Sequence, residues 1–374
     1  MKKIQFKIKF LLGSILIVLA LTAGLTGCSS TPQVDPKKET PITEVSKGAN
    51  EISVMVFNVE NLFDNKHDAG TEDYTYLPLS EKNKPEVKKF CAGISNEFYK
   101  MECYEKDWND DIIKFKLSQI GKVIRHIDNG KGPDNLMMAE VENMNILNKL
   151  FGEELKDLGY QTVVLIEGPD TRGIDPAFAS KFPLKGKPQL HVIPYKDSNP
   201  EKLKYAQKSR GILEVTVTLP NKKDLTFLVG HFPSQSNPTE WRKQAVEFAT
   251  AKMKDYEKQG RAVIMGGDLN IIAEEEQEHG YFSKIFSTAG KVSHLVGCQK
   301  CEGTHNHKGH WSFLDIQVFG NGLSNANLEL IPESITVVKT AHHLKRNGAP
   351  LRFNEEEKTG VSDHFPLYSR LKIK

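Results

Sequence analysis

The chain has 374 residues, 39% of them hydrophobic and 26% charged, an ordinary globular composition that excludes a collagen-like, low-complexity or wholly disordered chain. Its formal charge is +2, but residues 1–27 hold Lys2, Lys3, Lys7 and Lys9 and no acid; without them 46 basic residues face 48 acidic ones, a net −2. A globally basic surface is thereby excluded, and any contact with a polyanion must run through a local patch or a metal ion.

The four lysines precede an apolar run over residues 10–21, too short to cross a bilayer comfortably as a permanent helix. Leu25-Thr26-Gly27-Cys28 follows, and small residues ahead of a cysteine look like a bacterial lipobox. Residues 1–27 are then a lipoprotein signal peptide, and Cys28 is the lipidated N-terminus that anchors the protein to a membrane by chain burial. The competing reading is a secretory signal with an incidental cysteine. Ser29 after the cysteine fits sorting to the outer membrane where two membranes exist. Both readings place the protein outside the cytoplasm, in or beyond the cell envelope. Residues 28–50, rich in Ser, Thr, Pro, Lys and Glu, read as a disordered tether. One globular domain is expected over 51–374, acting as a monomer.

That domain opens on a β-rich run, residues 52–57, followed by Asn58-Val59-Glu60. If the strand continues, Asn58 and Glu60 face the same side. Residues 64–107 are polar and rich in turn formers, and read as an irregular rim or insertion. Their Cys91 and Cys103 suit a disulfide in an exported protein. Ile113, Leu117, Ile120, Ile124 and Ile127 recur at helical spacing. The apolar run 136–139 ends in Glu140, a candidate metal ligand, and a helix is expected over 146–158. Arg172 sits in a turn, free for a phosphate or paired with Asp170 or Asp175. Residues 185–208 are lysine-rich, either a solvated hairpin or a local basic patch. Paired strands over 211–218 and 225–230 end in His231, which suits a core position or a cleft donor.

After a helix over 240–256, Ala262-Val263-Ile264-Met265 reads as a buried strand, and Gly266-Gly267-Asp268-Leu269-Asn270 carries Asp268 and Asn270 towards one cleft. The acids at 274–278 read as a solvated helix face. Cys298 and Cys301, ahead of His305, His307 and His310, fit either a structural Zn²⁺ site or a disulfide. Trp311 precedes a strand with Asp315 among apolar neighbours; a buried carboxylate needs a partner, and a histidine is a natural one. Ser362-Asp363-His364-Phe365-Pro366 leads into the last strand.

Taken together, Asn58, Glu140, His231, Gly267-Asp268-Leu269-Asn270, Trp311 with Asp315, and Ser362-Asp363-His364 stand in an order that resembles the endonuclease/exonuclease/phosphatase superfamily across 51–374. The resemblance implies an α/β fold, a four-layer sandwich of two packed mixed β-sheets flanked by helices. It also implies a divalent-metal-dependent phosphodiester hydrolase using Mg²⁺ or Mn²⁺. By carry-over Asn58, Glu60, Glu140 and Asp363 surround the metal. His231, Asp268, Asn270, Asp315 and His364 are catalytic, and Arg172 and Trp311 meet the substrate. A nucleic acid, DNA or RNA, is the favoured substrate, with a lipid or small-molecule phosphoester next and a non-catalytic binding protein last.

Overall fold

The structure is a computed structural model, described over residues 45–374; the signal peptide, Cys28 and the tether as far as residue 44 lie outside the described residues. A first sheet begins with β1 (Glu51–Leu62), β2 (Asn135–Val141), β3 (Thr162–Leu165) and β4 (Asp175–Ser180). A second contains β5 (Gln189–His191), β6 (Ile212–Thr218), β7 (Asp224–His231), β8 (Val263–Asp268) and β9 (Gly290–Val292). A short ribbon of β10 (His305–His307) and β11 (His310–Ser312) precedes β12 (Asp315–Gly320), which joins the second sheet. The chain then returns to the first with β13 (Leu328–Val337) and β14 (Leu367–Ile373). The strand orders are β13-β14-β1-β2-β4-β3 and β5-β6-β7-β8-β12-β9.

Each sheet has a parallel pair at its centre, β1 with β2 and β7 with β8, and its other pairs are antiparallel. Strands buried on both faces read as near-continuous apolar runs, which is why 52–57 and 262–265 show no alternation. Val54, Val56, Met137 and Phe178 of the first sheet form one core with Val215, Phe227, Val229 and Ile264 of the second. Met55 and Phe57 point the other way, into a core shared with Ile113, Leu117, Ile120 and Ile124 of the helix Asp110–Arg125. The helix Thr239–Lys258 covers the outside of the second sheet through Trp241, Ala245, Ala249 and Met253. Helix, sheet, sheet and helix make the four expected layers.

Gly266 and Gly267 set how closely these layers approach. A Cβ on Gly266 would meet Met137 Cε at 2.6 Å and Val56 Cγ2 at 2.9 Å, both from the opposite sheet. Gly267 has φ +140°, and a Cβ there would lie 1.8 Å from the Gly230 carbonyl oxygen on β7. Gly267→Ala is therefore expected to cost roughly 3 kcal/mol or more, through overpacking and backbone strain together. Urea unfolding checks this, and a stability change within about 0.5 kcal/mol would sink it.

Several expectations need correction. The packed chain starts before Glu51: Val45 is buried and accepts from the Asp128 amide at 2.7 Å, and Lys47 pairs with buried Asp134 at 2.5 Å. Residues 64–107 are not irregular throughout. Helices Pro85–Gly93 and Glu97–Glu105 are joined by a Cys91–Cys103 disulfide over a small core with Leu77 and Val87. Cys298 and Cys301 also form a disulfide, which overturns the zinc reading, because sulfurs bonded to each other offer no thiolate to a metal. The 185–208 stretch contributes edge strand β5 and the helix Pro200–Ala206. The 146–158 helix is shorter and broken, with its α-helical part at Met144–Lys149. Nor is the acidic helix Ala273–His279 all solvated: Glu275 is buried, and its Oε1 takes Arg242 Nη2 at 2.5 Å.

Candidate active site

Strand register assembles the site. Across the second sheet His231 pairs with Asp268, and Asp268 with Asp315, so three adjacent strands present a histidine and two aspartates in one row. Across the first sheet Asn58 pairs with Ala139, which sets Glu140 beside it. Both parallel pairs thus end in polar residues at the same rim. Four non-glycine residues there hold positive φ: Glu60, Asn61, Glu140 and Asn270. Such backbone persists only where the surroundings over-determine it.

Asn58 bridges the two sheets. Its Nδ2 donates to Glu140 Oε1 at 3.1 Å and to Asp268 Oδ2 at 2.9 Å, while its Oδ1 accepts from the Glu60 amide at 2.9 Å. The amide orientation is therefore set by the backbone, and the NH₂ group faces the carboxylates. In this arrangement Asn58 turns its NH₂ group, which cannot ligate a cation, to the two carboxylates and orients them. Glu60 is not where strand periodicity would put it. The strand does not stay extended: φ is +50° at Glu60, and the β1–β2 register shifts between Asn58 and Leu62. Glu60 consequently turns to Arg352, accepting from its Nε at 2.7 Å, and to the Phe353 amide at 3.2 Å.

Asp268 is buried. Its Oδ1 accepts from the Asn270 amide at 2.9 Å, and Asn270 Nδ2 in turn donates to the Phe232 carbonyl at 3.1 Å. Burial pushes the Asp268 carboxyl up to about 7; Asp315 and Glu140 add to the rise, and His364 and the Asn58 hydrogen bond oppose it. His364 is held by Asp315, whose Oδ2 accepts from its Nδ1 at 2.7 Å. This is the partner that the buried Asp315 requires. Burial would depress the His364 imidazolium, but Asp315, Asp268 and Asp363 outweigh it and hold the ring protonated well above its ordinary range. Ser362 fixes the approach: its Oγ donates to the Asn58 carbonyl at 2.7 Å and accepts from the His364 amide at 3.1 Å. The His305 ring packs on His364, with centroids 4.8 Å apart.

Arg210 and Arg352 are the residues that sequence reasoning missed. Arg210 is buried, and its Nε donates to His231 Nδ1 at 3.0 Å. A neutral imidazole that accepts at Nδ1 carries its proton on Nε2. That nitrogen faces Asp268 Oδ2 at 3.6 Å and Glu140 Oε1 at 4.0 Å, and Arg210 Nη2 lies 3.3 Å from it. Burial, with the guanidiniums of Arg210 and Arg172, keeps the ring neutral. No local motif marks Arg210; it reaches His231 because Ile212 on β6 pairs with Gly230 on β7. Arg352 lies in a loop and reaches both Glu60 and, at 3.6 Å, Asp363 Oδ2.

The remaining candidates sit at the rim. Arg172 is half-exposed and 3.4 Å from Asp170 Oδ2, so it has that carboxylate as a partner and still faces solvent. Trp311 stacks on Phe365 at 6.3 Å and 17°, with Lys339 Nζ 5.3 Å from its ring centroid. Asp363 and Glu140 are the carboxylates open to the cleft, with side chains 27% and 19% exposed.

Ligand atoms of Glu140, His231 and Asp268 lie within 4.8 Å of one another, as do those of His305, Asp363 and His364. His231 fits less well as a ligand than the carboxylates, because the Arg210 guanidinium lies against both of its ring nitrogens, at 3.0 and 3.3 Å. The hard oxygens of Glu140 and Asp268 in the first group, and of Asp363 in the second, suit a divalent cation, so the residues present fit such a group.

Two imidazole Nε2 atoms and a carboxylate converge at a cleft lined by hard oxygen donors, which is the site of a metal-dependent phosphoric ester hydrolase. The sequence matches the endonuclease/exonuclease/phosphatase family over residues 92–373, and the chain belongs to that family. Its structure is similar to an endonuclease/exonuclease/phosphatase family protein from Bacteroides thetaiotaomicron, with 14% identity, TM-score 0.54, and coverage of 87% of this chain and 98% of that one. It is also similar to an endonuclease/exonuclease/phosphatase from Beutenbergia cavernae, with 14% identity, TM-score 0.52, and coverage of 87% and 72%. A functionally unknown conserved protein from Enterococcus faecalis matches at 12% identity and TM-score 0.51, with coverage of 86% and 100%. At these identities the structures speak for the fold. A search of curated proteins finds no match to the sequence.

Proposed function

We propose that the protein is a lipid-anchored nuclease of the cell envelope that hydrolyses phosphodiesters of DNA or RNA with Mg²⁺ or Mn²⁺. The observation that carries the choice of nucleic acid is what flanks the site. On the Glu60 side a cleft of about 740 Å³ is lined by Phe98 and Tyr99, 73% and 58% exposed, and by Lys106 and Arg352, which are paired with the wall acids Glu102, Glu355 and Glu60. On the His231 side a cavity of about 220 Å³ is lined by Lys208, Arg210 and Tyr205. Arg172 lines both. Open aromatic faces on both sides of a phosphate site, with surplus positive charge on the His231 side, suit a polynucleotide running across it.

Glu140 and Asp363 would hold the cation, which when bound neutralises the phosphate charge that otherwise repels a nucleophile. Asp268 is placed to take the proton of the attacking water, with Asn58 and Asn270 holding its two oxygens in direction. The His364 imidazolium, backed by Asp315, donates Nε2–H to a non-bridging oxygen and meets charge that grows in the transition state. His231, kept neutral by Arg210, donates its own Nε2–H and serves as a positioning donor.

The test is hydrolysis of plasmid DNA, RNA and bis-p-nitrophenyl phosphate by the full chain, with Mg²⁺ or Mn²⁺ against EDTA. Metal-dependent cleavage of DNA or RNA, abolished by EDTA, is expected. Cleavage of the small diester alone would move the function to a lipid or metabolite phosphoester. The anchor rests on Leu25-Thr26-Gly27-Cys28. Cys28→Ser is expected to release the protein from the membrane fraction, and unchanged association would overturn it.

A further inference from the structure

We propose that the 220 Å³ cavity beside His231 is a subsite for the nucleotide adjoining the scissile phosphate, with Lys208 and Arg172 meeting its phosphate and Tyr205 its base. The inference rests on the nuclease reading and deepens it, since it turns a general phosphodiesterase into one that reads the polymer next to the bond it cuts.

Four observations carry it. The cavity opens off the catalytic row, because its wall residue Arg210 is the donor to His231 Nδ1. Its charge is positive, with Arg172, Lys208 and Arg210 against Glu72 and Asp170. Asp170 is already committed, its Oδ2 lying 3.3 Å from Arg210 Nη1 and 3.4 Å from Arg172 Nη2. Lys208 has no ion-pair partner among the described residues, and the Arg172 side chain remains 57% exposed, so both are open to an anion. Tyr205, near the end of the helix Pro200–Ala206, is 63% exposed, with its ring centroid 6.1 Å from that of Trp241 and tilted by 37°. A large aromatic left in water beside an unpaired lysine is a stacking face for a base.

A small diester occupies the scissile site without reaching this cavity, whereas an oligonucleotide fills both. The experiment compares kcat/KM on fluorescein-labelled octathymidylate with that on bis-p-nitrophenyl phosphate, both with Mn²⁺, for the full chain and for Tyr205→Ala, Lys208→Ala and the double variant. The ratio of the two is expected to fall about tenfold in each single variant and further in the double, chiefly through KM on the oligonucleotide. A ratio within about twofold of the parent in the double variant would overturn the subsite. Binding of the same oligonucleotide is measured in EDTA by fluorescence anisotropy, where about tenfold weaker binding by the double variant is expected and equal affinity overturns the proposal. If the parent chain binds through these residues but cuts no oligonucleotide, the nuclease reading fails and the subsite stands. If it neither binds nor cuts, both fail.

Discussion

Asp268→Ala is expected to lower kcat on any accepted phosphodiester by roughly 10³-fold, within the range that removal of a positioned general base produces. No other carboxylate in the site stands in its place. Asp315 is fully buried and committed to His364, Glu140 accepts from Asn58 and from the Asn61 amide at 2.9 Å, and Asp363 has the Arg352 guanidinium at 3.6 Å. The substitution should also separate activity from stability. The folded state holds the Asp268 carboxyl near 7 against an ordinary value of 3.8. Between those two values the unfolded chain has lost its proton and the folded chain has not, so rising pH favours unfolding. In EDTA the parent protein should therefore lose stability relative to Asp268→Ala as pH rises from about 4 through 7. Thermal unfolding across that range checks the sign. A parent that gains on the variant with rising pH would show that the carboxylate is stabilised rather than strained by its surroundings. A kcat within tenfold of the parent would remove Asp268 from the role of base.

His364→Ala is expected to cost about 10²–10³-fold in kcat, the loss typical of removing a donor aimed at developing charge. Here stability should fall as well. Asp315 is fully buried, its Oδ1 has no hydrogen-bond partner, and its Oδ2 has His364. Without the imidazole a carboxylate stays buried and unpaired, at a cost of roughly 3 kcal/mol. The double change His364→Ala with Asp315→Ala removes the stranded charge, and should recover stability without recovering kcat. Equal stability in the single and double variants would mean that the pair is not the buried ionic unit its geometry indicates. The two positions thus predict opposite signatures: a base whose loss relieves the fold, and a donor whose loss strains it.

Much of the site was legible because its residues end apolar runs. A strand buried on both faces leaves a chemical group nowhere to act except at its end, and Glu140, His231 and Asp268 stand at or next to one, with Asn58 where the regular β1–β2 register stops. Gly266-Gly267 was readable for the same reason, since two glycines at the end of a buried strand announce a close approach. The helix at Asp110–Arg125 was readable because its apolar spacing is a local property. Glu60 was misplaced because period-two reasoning holds only while backbone stays extended, and at Glu60 and Asn61 it does not.

What the sequence by itself determined is therefore the set of elements and the groups delivered to their ends, because hydrophobic periodicity and turn chemistry act over a few residues. Pairing and protonation were decided only by the tertiary structure. Cys298 found Cys301 rather than a metal, Asn58 turned its NH₂ to the carboxylates, Glu60 went to Arg352, and Arg210 came against His231. Each of those outcomes is a contest between partners for one hydrogen bond or one charge. Most of the competitors are distant in sequence, brought within 3 Å or so by the register of strands, and a one-residue shift in that register would have chosen differently.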